Sequence, residues 1–264
     1  MSSYPEGREK EKFIKWVQEL YRQNPGGVSS IAYHKLEHLL RESRCYQVTH
    51  GEQQALYALR QKQLVFYWSN QKERFLLSEE QLAELDLLVL HADYYLLVAD
   101  ALSGLQTEES YPLFYDSTWQ QQQLSSSNYE VASFDFANDG DYAAAAAIIT
   151  STNAGYKVTP TRVRSWTADS AFDPTLWLLV KERGTGQPVG VGISGYYPPM
   201  QEADLDWFFV HPAHQGIGIG RMLVAATVAR CQSKARIIRL SGIADGFYTK
   251  CGFKPGDKWI IMHR

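Results

Sequence analysis

The segment Val210 to Arg221, VHPAHQGIGIGR, sets Gly216, Gly218 and Gly220 between an apolar strand and an apolar helix. Without a Cβ in the way, glycine lets backbone N–H groups turn into a concavity, and the amino end of the helix adds partial positive charge. A pyrophosphate is the natural guest of such a loop. A dinucleotide fold would need Gly-x-Gly-x-x-Gly with an acid about 20 residues further on, and a Walker loop would need Gly-Lys-Ser/Thr. Here Gly220 is followed by Arg221 and Met222, so neither nucleotide pattern fits. Just upstream, Asp204 and Asp206 stand two apart on a strand, a spacing that predicts one shared face. Two carboxylates there can take a proton from a nucleophile, bind a cationic acceptor, or simply be solvated. His211 and His214 have the spacing of metal ligands, but they sit in a loop without a third donor and no metal is expected.

Cys45, Cys231 and Cys251 are odd in number and widely spaced, which suggests neither a disulfide framework nor zinc and points to a reducing cytoplasm. Cys251 has no basic partner in sequence and reads as a small buried residue. Lys and Arg number 26 against 29 Asp and Glu, a net charge of -3, so composition offers no field for nucleic acid or an anionic membrane. Met1 to Lys12 lacks the apolar core of a signal peptide. The most apolar stretch, Leu85 to Leu102, is interrupted by Asp86, His91, Asp93 and Asp100. A soluble cytoplasmic protein without nucleic-acid or membrane partners is the expectation.

A length of 264 residues suits two domains. The polar run DSTWQQQQLSSSN, Asp116 to Asn128, marks the boundary: an N-terminal domain over 1–115, a linker over 116–127 and a second domain over 128–264. In the first, apolar spacing predicts helices over Glu9 to Arg22 and Ser30 to Glu42, strands over Gln53 to Leu59 and Leu64 to Trp68, and a short helix capped by Ser78 and Gln81. Leu85 to Leu90 and Tyr94 to Val98 fit either strands or one buried helix, and the cluster Tyr94, Tyr95, Tyr111, Phe114 and Tyr115 reads as packing. In the second, a strand from Tyr129 precedes a helix from about Asp139 and a helical segment near Thr161 to Ala168. A hairpin of Leu176 to Lys181 and Val189 to Tyr197 follows, then a strand from Asp204 to Val210. A helix over Gly218 to Ser233, a strand from Arg236 to Leu240, a short helix from Ala244 to Lys250 and a strand over Lys258 to Met262 complete the chain. The class is α/β.

Gln215-Gly216-Ile217-Gly218-Ile219-Gly220, preceded by Val210-x-Pro212, resembles the acyl-coenzyme A loop of the GNAT acyltransferases. A second signature, Gly246-Phe247-Tyr248-Thr249-Lys250-Cys251-Gly252-Phe253, is similar to the family's late helix and turn. The resemblance covers roughly Ser127 to Arg264 and implies the GNAT fold, a mixed central sheet flanked by helices, beside an additional N-terminal α/β domain of unassigned role. That domain could be a degenerate second copy, though it has no matching glycine loop; it would cap the acceptor site or mediate contacts of a homodimer.

By the resemblance, the chain transfers acetyl from acetyl-CoA to a primary amine of a small molecule or peptide by direct attack, without a metal. The main chain of Phe208, Phe209 and Val210 would hold the pantetheine arm. The amides of Gln215, Gly216, Ile217, Gly218, Ile219, Gly220 and Arg221 would wrap the pyrophosphate. Tyr248 would protonate the leaving thiolate, and Asp204, favoured over Asp206 or water, would take the amine's proton. Where the family often has a pantetheine-binding asparagine, this chain has Ser241, which implies weaker anchoring. A sensor or scaffold that holds acyl-CoA without turnover is the alternative.

Overall fold

The computed structural model describes residues 2–4, 7–119, 126–152, 157–242 and 246–264. The chain divides into two compact units. One takes the described residues of 1–113, 241–244 and 255–264, and the other those of 114–240 and 245–254. The elements run β1 (Ser2–Tyr4), α1 (Arg8–Gln23), α2 (Pro25–Val28), α3 (Tyr33–Glu42), β2 (Arg44–His50), β3 (Gln53–Arg60), β4 (Gln63–Ser69), α4 (Glu79–Ala83), β5 (Leu87–His91), α5 (Ala92–Tyr95) and β6 (Gln106–Tyr115). They continue β7 (Tyr129–Ser133), α6 (Asp139–Thr152), α7 (Pro160–Ser165), β8 (Phe172–Glu182), β9 (Pro188–Tyr197), β10 (Glu202–Val210), α8 (Ile219–Cys231), β11 (Ile237–Gly242), α9 (Gly246–Thr249), β12 (Phe253–Pro255) and β13 (Trp259–His263).

In the first unit the strands follow the order β1-β2-β3-β4-β5-β13-β6, antiparallel except for the β4–β5 pair. The last strand of the chain therefore does not complete the second unit, as a division at 128–264 would have it. β13 lies between β5 and β6, with Trp259 opposite both His91 and Ser110. Its Ile260 and Met262 join Leu64, Tyr67, Leu88 and Leu90 in one core, and the Trp259 Nε1–H donates to the Gly26 carbonyl at 2.8 Å. Local patterning marks a strand but not the sheet that receives it. The ambiguous apolar stretch resolves into β5 followed by the single turn α5.

In the second unit β7, β8, β9 and β10 pair antiparallel, and β10 pairs parallel with β11. The β8 side chains alternate between faces. Trp177 and Leu179 pack with Tyr142, Ala146 and Ile149 of α6, while Leu178 and Val180 pack with Ile219 and Leu223 of α8. On β9, Gly190 and Gly192 let α8 approach closely. A Cβ at Gly190 would come within 3.0 Å of Ile219, and one at Gly192 within 3.0 Å of Phe208 and 3.4 Å of Leu223.

The two units repeat one plan. Each runs strand, helices, three antiparallel strands, helix, parallel strand, short helix, strand. In each, the last of the three antiparallel strands pairs with the strand that follows it over a short parallel stretch: Gln63–Leu64 with Leu87–Leu88, and Glu202–Asp204 with Ile237–Arg239.

Candidate active site

β10 pairs with β9 through to Val210, but its ladder with β11 ends at Asp204 opposite Arg239. Beyond that point the ladder between the two parallel strands is not continued, and Phe208 to Val210 line a cavity of about 870 Å³ within the second unit. Gly246, Phe247 and Lys250 also line it, together with its floor of Gln215, Gly216 and the first turn of α8.

Loop geometry prepares this floor. Gly216 and Gly218 have φ of 78° and 95°, the left-handed region that glycine adopts freely. The Gln215 side chain donates from Nε2 to the Val210 carbonyl at 3.0 Å, tying the loop to the strand it leaves. Gln215 N–H is spent on Pro212 O, and the first helical amide to find a carbonyl is Met222, on Gly218 O at 3.0 Å. Among the described residues no protein acceptor meets the amides of Gly216 through Arg221. A run of open N–H groups at the amino end of a 13-residue helix is an anion site by its electrostatics. Arg221 and Lys250 add two exposed cations to the lining, and neither has an acidic partner among the described residues.

The cavity thus brings together Phe208, Phe209, Val210, Gln215, Gly216, Gly218, Ile219, Gly220 and Arg221. Ile217 is not in its wall; it is 59% exposed at the loop tip. Ser241 is not in its wall either, because it belongs to the first unit and its hydroxyl donates to Ser30 O at 2.8 Å. Tyr248 is half-buried on α9, edge-on to Phe247 at 5.0 Å and to Phe253 at 6.0 Å. Its sequence neighbours Phe247 and Lys250 line the cavity.

The two carboxylates do not share a setting, contrary to their spacing. The β9 register skips between Leu205 and Trp207, so Asp206 is the extra residue of a bulge, which breaks the alternation of faces. Asp204 lies between Gly195 and Arg239 with 3% exposure, whereas Asp206 is exposed. Next to Asp204, Glu202 and Arg239 form a buried ion pair at 3.9 Å.

Thr152, His214, Leu223, Phe247 and Lys250 also line the cavity without having been assigned to it from sequence. Phe247 carried a signal as a member of the signature Gly246 to Phe253, and the structure sets it so close to Gly220 that a Cβ there would come within 3.1 Å of its ring. His214 Nδ1 lies 3.1 Å from the Tyr129 hydroxyl, and His211 Nδ1 accepts from Ala213 N–H. No group of three or more His, Cys, Asp or Glu among the described residues could hold a metal. No described helix is long and apolar enough to cross a membrane.

In the first unit the equivalent opening is filled from within. The Tyr94 hydroxyl, on the third residue of α5, accepts from Ser69 N–H and donates to Ser69 O, both at 2.9 Å, at the end of β4. The amino end of α4 is closed by a capping box between Ser78 and Gln81.

The acetyltransferase (GNAT) domain family matches residues 173–255. No curated protein matches the sequence. Solved structures share the fold over the whole chain. A GCN5-related N-acetyltransferase from Sphaerobacter thermophilus has a TM-score of 0.71 at 14% identity, covering 100% of this chain and 95% of that one. A tandem GNAT protein from the clavulanic acid biosynthesis pathway has 0.65 at 12%, covering 100% and 98%. A GNAT-family acetyltransferase from Colwellia psychrerythraea has 0.64 at 11%, covering 100% and 99%. Identities this low bear on the fold alone.

Proposed function

We propose, from the premise that residues 173–255 carry a GNAT acetyltransferase domain, that the second unit transfers acetyl from acetyl-CoA to a primary amine. The single observation that carries this reading is the run of open amides from Gly216 to Arg221 beside the end of the β10–β11 ladder. The residues present suit the donor. The amides, with Arg221 and Lys250, match a pyrophosphate, and the edge of Phe208 to Val210 that β11 does not pair, with the Val210 carbonyl already accepting from Gln215, matches the amide groups of a pantetheine arm. Held in this way, the thioester is presented to the amine in place, which removes most of the entropic barrier to a bimolecular step.

In the proposed reaction the amine nitrogen attacks the thioester carbonyl, the carbon–sulfur bond breaks, and the thiolate takes a proton from the Tyr248 hydroxyl. Tyr94 offers a precedent for its reach, since a tyrosine at the same position of the equivalent helix meets the end of β4. The amine's proton goes to Asp204. Asp206 is the rival acceptor because the bulge exposes it, and the pH–rate profiles of Asp204→Asn and Asp206→Asn separate the two: the true base loses its acidic limb.

A sensor that binds without turnover is favoured by one observation, that neither Tyr248 nor Asp204 is among the lining residues. Thiol release from acetyl-CoA across a panel of primary amines decides between the readings. Amine-dependent release that falls roughly a hundredfold in Tyr248→Phe supports the transferase with Tyr248 as its acid. An unchanged rate in Tyr248→Phe removes Tyr248 from the mechanism. Calorimetric binding without amine-dependent release leaves the sensor.

A further inference from the structure

The run Tyr115–Trp119 leads into the segment whose composition reads as a linker from Asp116, yet it is fixed to the turn that follows α9, inside the second unit. Asp116 N–H donates to Gly252 O at 2.9 Å, and Lys254 Nζ meets the Asp116 carboxylate at 2.6 Å. The Thr118 amide and hydroxyl donate to the same carboxylate at 2.9 and 2.6 Å, and Trp119 N–H folds back to Asp116 O at 2.9 Å. The Lys254 ammonium first, then the Thr118 hydroxyl and amide, hold the Asp116 carboxyl below the usual carboxylate range.

Trp119 lies against Gly252 so closely that a Cβ there would come within 2.6 Å of its Cγ, and Gly252 has a φ of +91° that glycine tolerates. The indole is 44% exposed. Tyr115 stands edge-on to Phe253 at 5.5 Å, and Phe253 to Tyr248 at 6.0 Å.

α9 has four residues, too few to hold a helix without support. Its continuation closes on it through Cys251 N–H to Tyr248 O and Gly252 N–H to Thr249 O. Whatever fixes Gly252 and Phe253 therefore fixes the orientation of the turn bearing Tyr248 and Lys250.

We infer that Tyr115–Trp119 is a strap that orients the Tyr248-bearing helix, with Trp119 and Asp116 as positioning residues. This rests on the proposed role of Tyr248 as the acid. A displaced α9 leaves the open amides of Gly216 to Arg221 in place but shifts Lys250 with Tyr248, so the strap acts chiefly on turnover and to a smaller degree on donor binding.

The test uses the full chain, acetyl-CoA and the primary amine giving fastest thiol release, with hydrolysis as the assay if no amine accelerates it. Trp119→Ala is expected to lower kcat by roughly tenfold to a hundredfold, as small misplacements do. The calorimetric Kd for coenzyme A should weaken by a smaller factor than kcat falls, because only Lys250 moves and the amides of the loop do not, and Trp119→Phe should recover most of the rate. In a Tyr248→Phe background Trp119→Ala should cost nothing more, because the two act through one group. Equal losses in both backgrounds, or a wild-type kcat in Trp119→Ala, overturn the inference. Hydrogen exchange at the Cys251 and Gly252 amides reads the strap without turnover, and it should speed up roughly tenfold or more in Trp119→Ala and in Asp116→Asn. Unchanged exchange overturns the strap even if Tyr248 is the acid. Faster exchange combined with full activity of Tyr248→Phe sustains the strap and refutes the acid.

Discussion

Replacing Gly220 with alanine separates stability from donor binding. Gly220 sits in the first turn of α8, where alanine favours the helix by about 0.5–1 kcal/mol. The new Cβ would lie 3.1 Å from Phe247 Cζ, 3.4 Å from Cε2 and 3.8 Å from Val210 Cγ2. The first distance is tight, but Phe247 is 37% exposed and can tilt away, so crowding costs no more than about 1 kcal/mol. These two effects offset, and the melting temperature should move by only a few degrees. Binding has no such offset. The methyl narrows the cavity between the helix start and Phe247, where Gly220, Phe247 and Val210 all line the wall. Losing one amide bond to a charged phosphate costs about 1.5–3 kcal/mol, roughly tenfold to a hundredfold in Kd. Titration calorimetry with coenzyme A and a thermal melt of the same sample measure both. Gly216→Ala is the control. It has open space around it but a φ of +78°, so it should lose about 1–2 kcal/mol of stability through backbone strain. Wild-type affinity in Gly220→Ala would refute the assignment of this floor to the donor.

Burial pushes the Cys45 thiol up to about 11 and the Cys231 thiol to about 12. Neither should react with a thiol reagent at pH 8 in the folded protein, while both should react after unfolding in guanidinium; rapid native labelling of either would contradict their burial. Because the folded-state pKa of Asp116 is lowered, its contribution to stability is present above the unfolded value of about 3.9 and is lost as pH falls through the folded value. Its carboxyl resonance should therefore still report an ionised group at pH 3.9, and Lys254→Met should move the midpoint upward. Trp259→Ala should cost roughly 3–5 kcal/mol in urea melts by emptying a buried site in the first unit. Trp259→Phe should cost about 1–3 kcal/mol by orphaning the Gly26 carbonyl.

What was legible in the sequence was whatever local periodicity and glycine chemistry dictate. The β8–β9 hairpin, β10, the glycine turn and α8 all follow from apolar spacing, and so do α1, β3, β4 and the cap of α4. β6 escaped because Gln106 to Ser110 is polar and largely exposed, leaving no alternation to read; its pairing with β13 is supplied by the backbone. The Asp206 bulge escaped because an inserted residue leaves no mark in a run such as Asp-Trp-Phe-Phe, yet it separates two acids that simple alternation would place together. Asp116 and Trp119 looked like linker because their partners, Lys254 and Gly252, are more than 130 residues away in the chain.

The repeated plan shows what distinguishes a ligand site from a scaffold. Both units leave the last of the three antiparallel strands after a short parallel pairing and enter a helix through a connecting loop. In the first, Phe75 and Leu77 of that loop are buried, Leu76 N–H donates to the Tyr67 hydroxyl at 3.1 Å, and Ser78 and Gln81 cap the helix. Tyr94 then occupies the strand end. The amides of Leu76, Ser78 and Gln81 and the main chain of Ser69 there already have partners. In the second, glycines replace the anchoring side chains, no side chain caps Gly218, and the following amides stay open. One topology therefore yields a closed unit and an open one, and the difference lies in a few loop residues rather than in the sheet. A tyrosine that plugs the gap in one unit can face a ligand in the other only where those amides hold something for it to face.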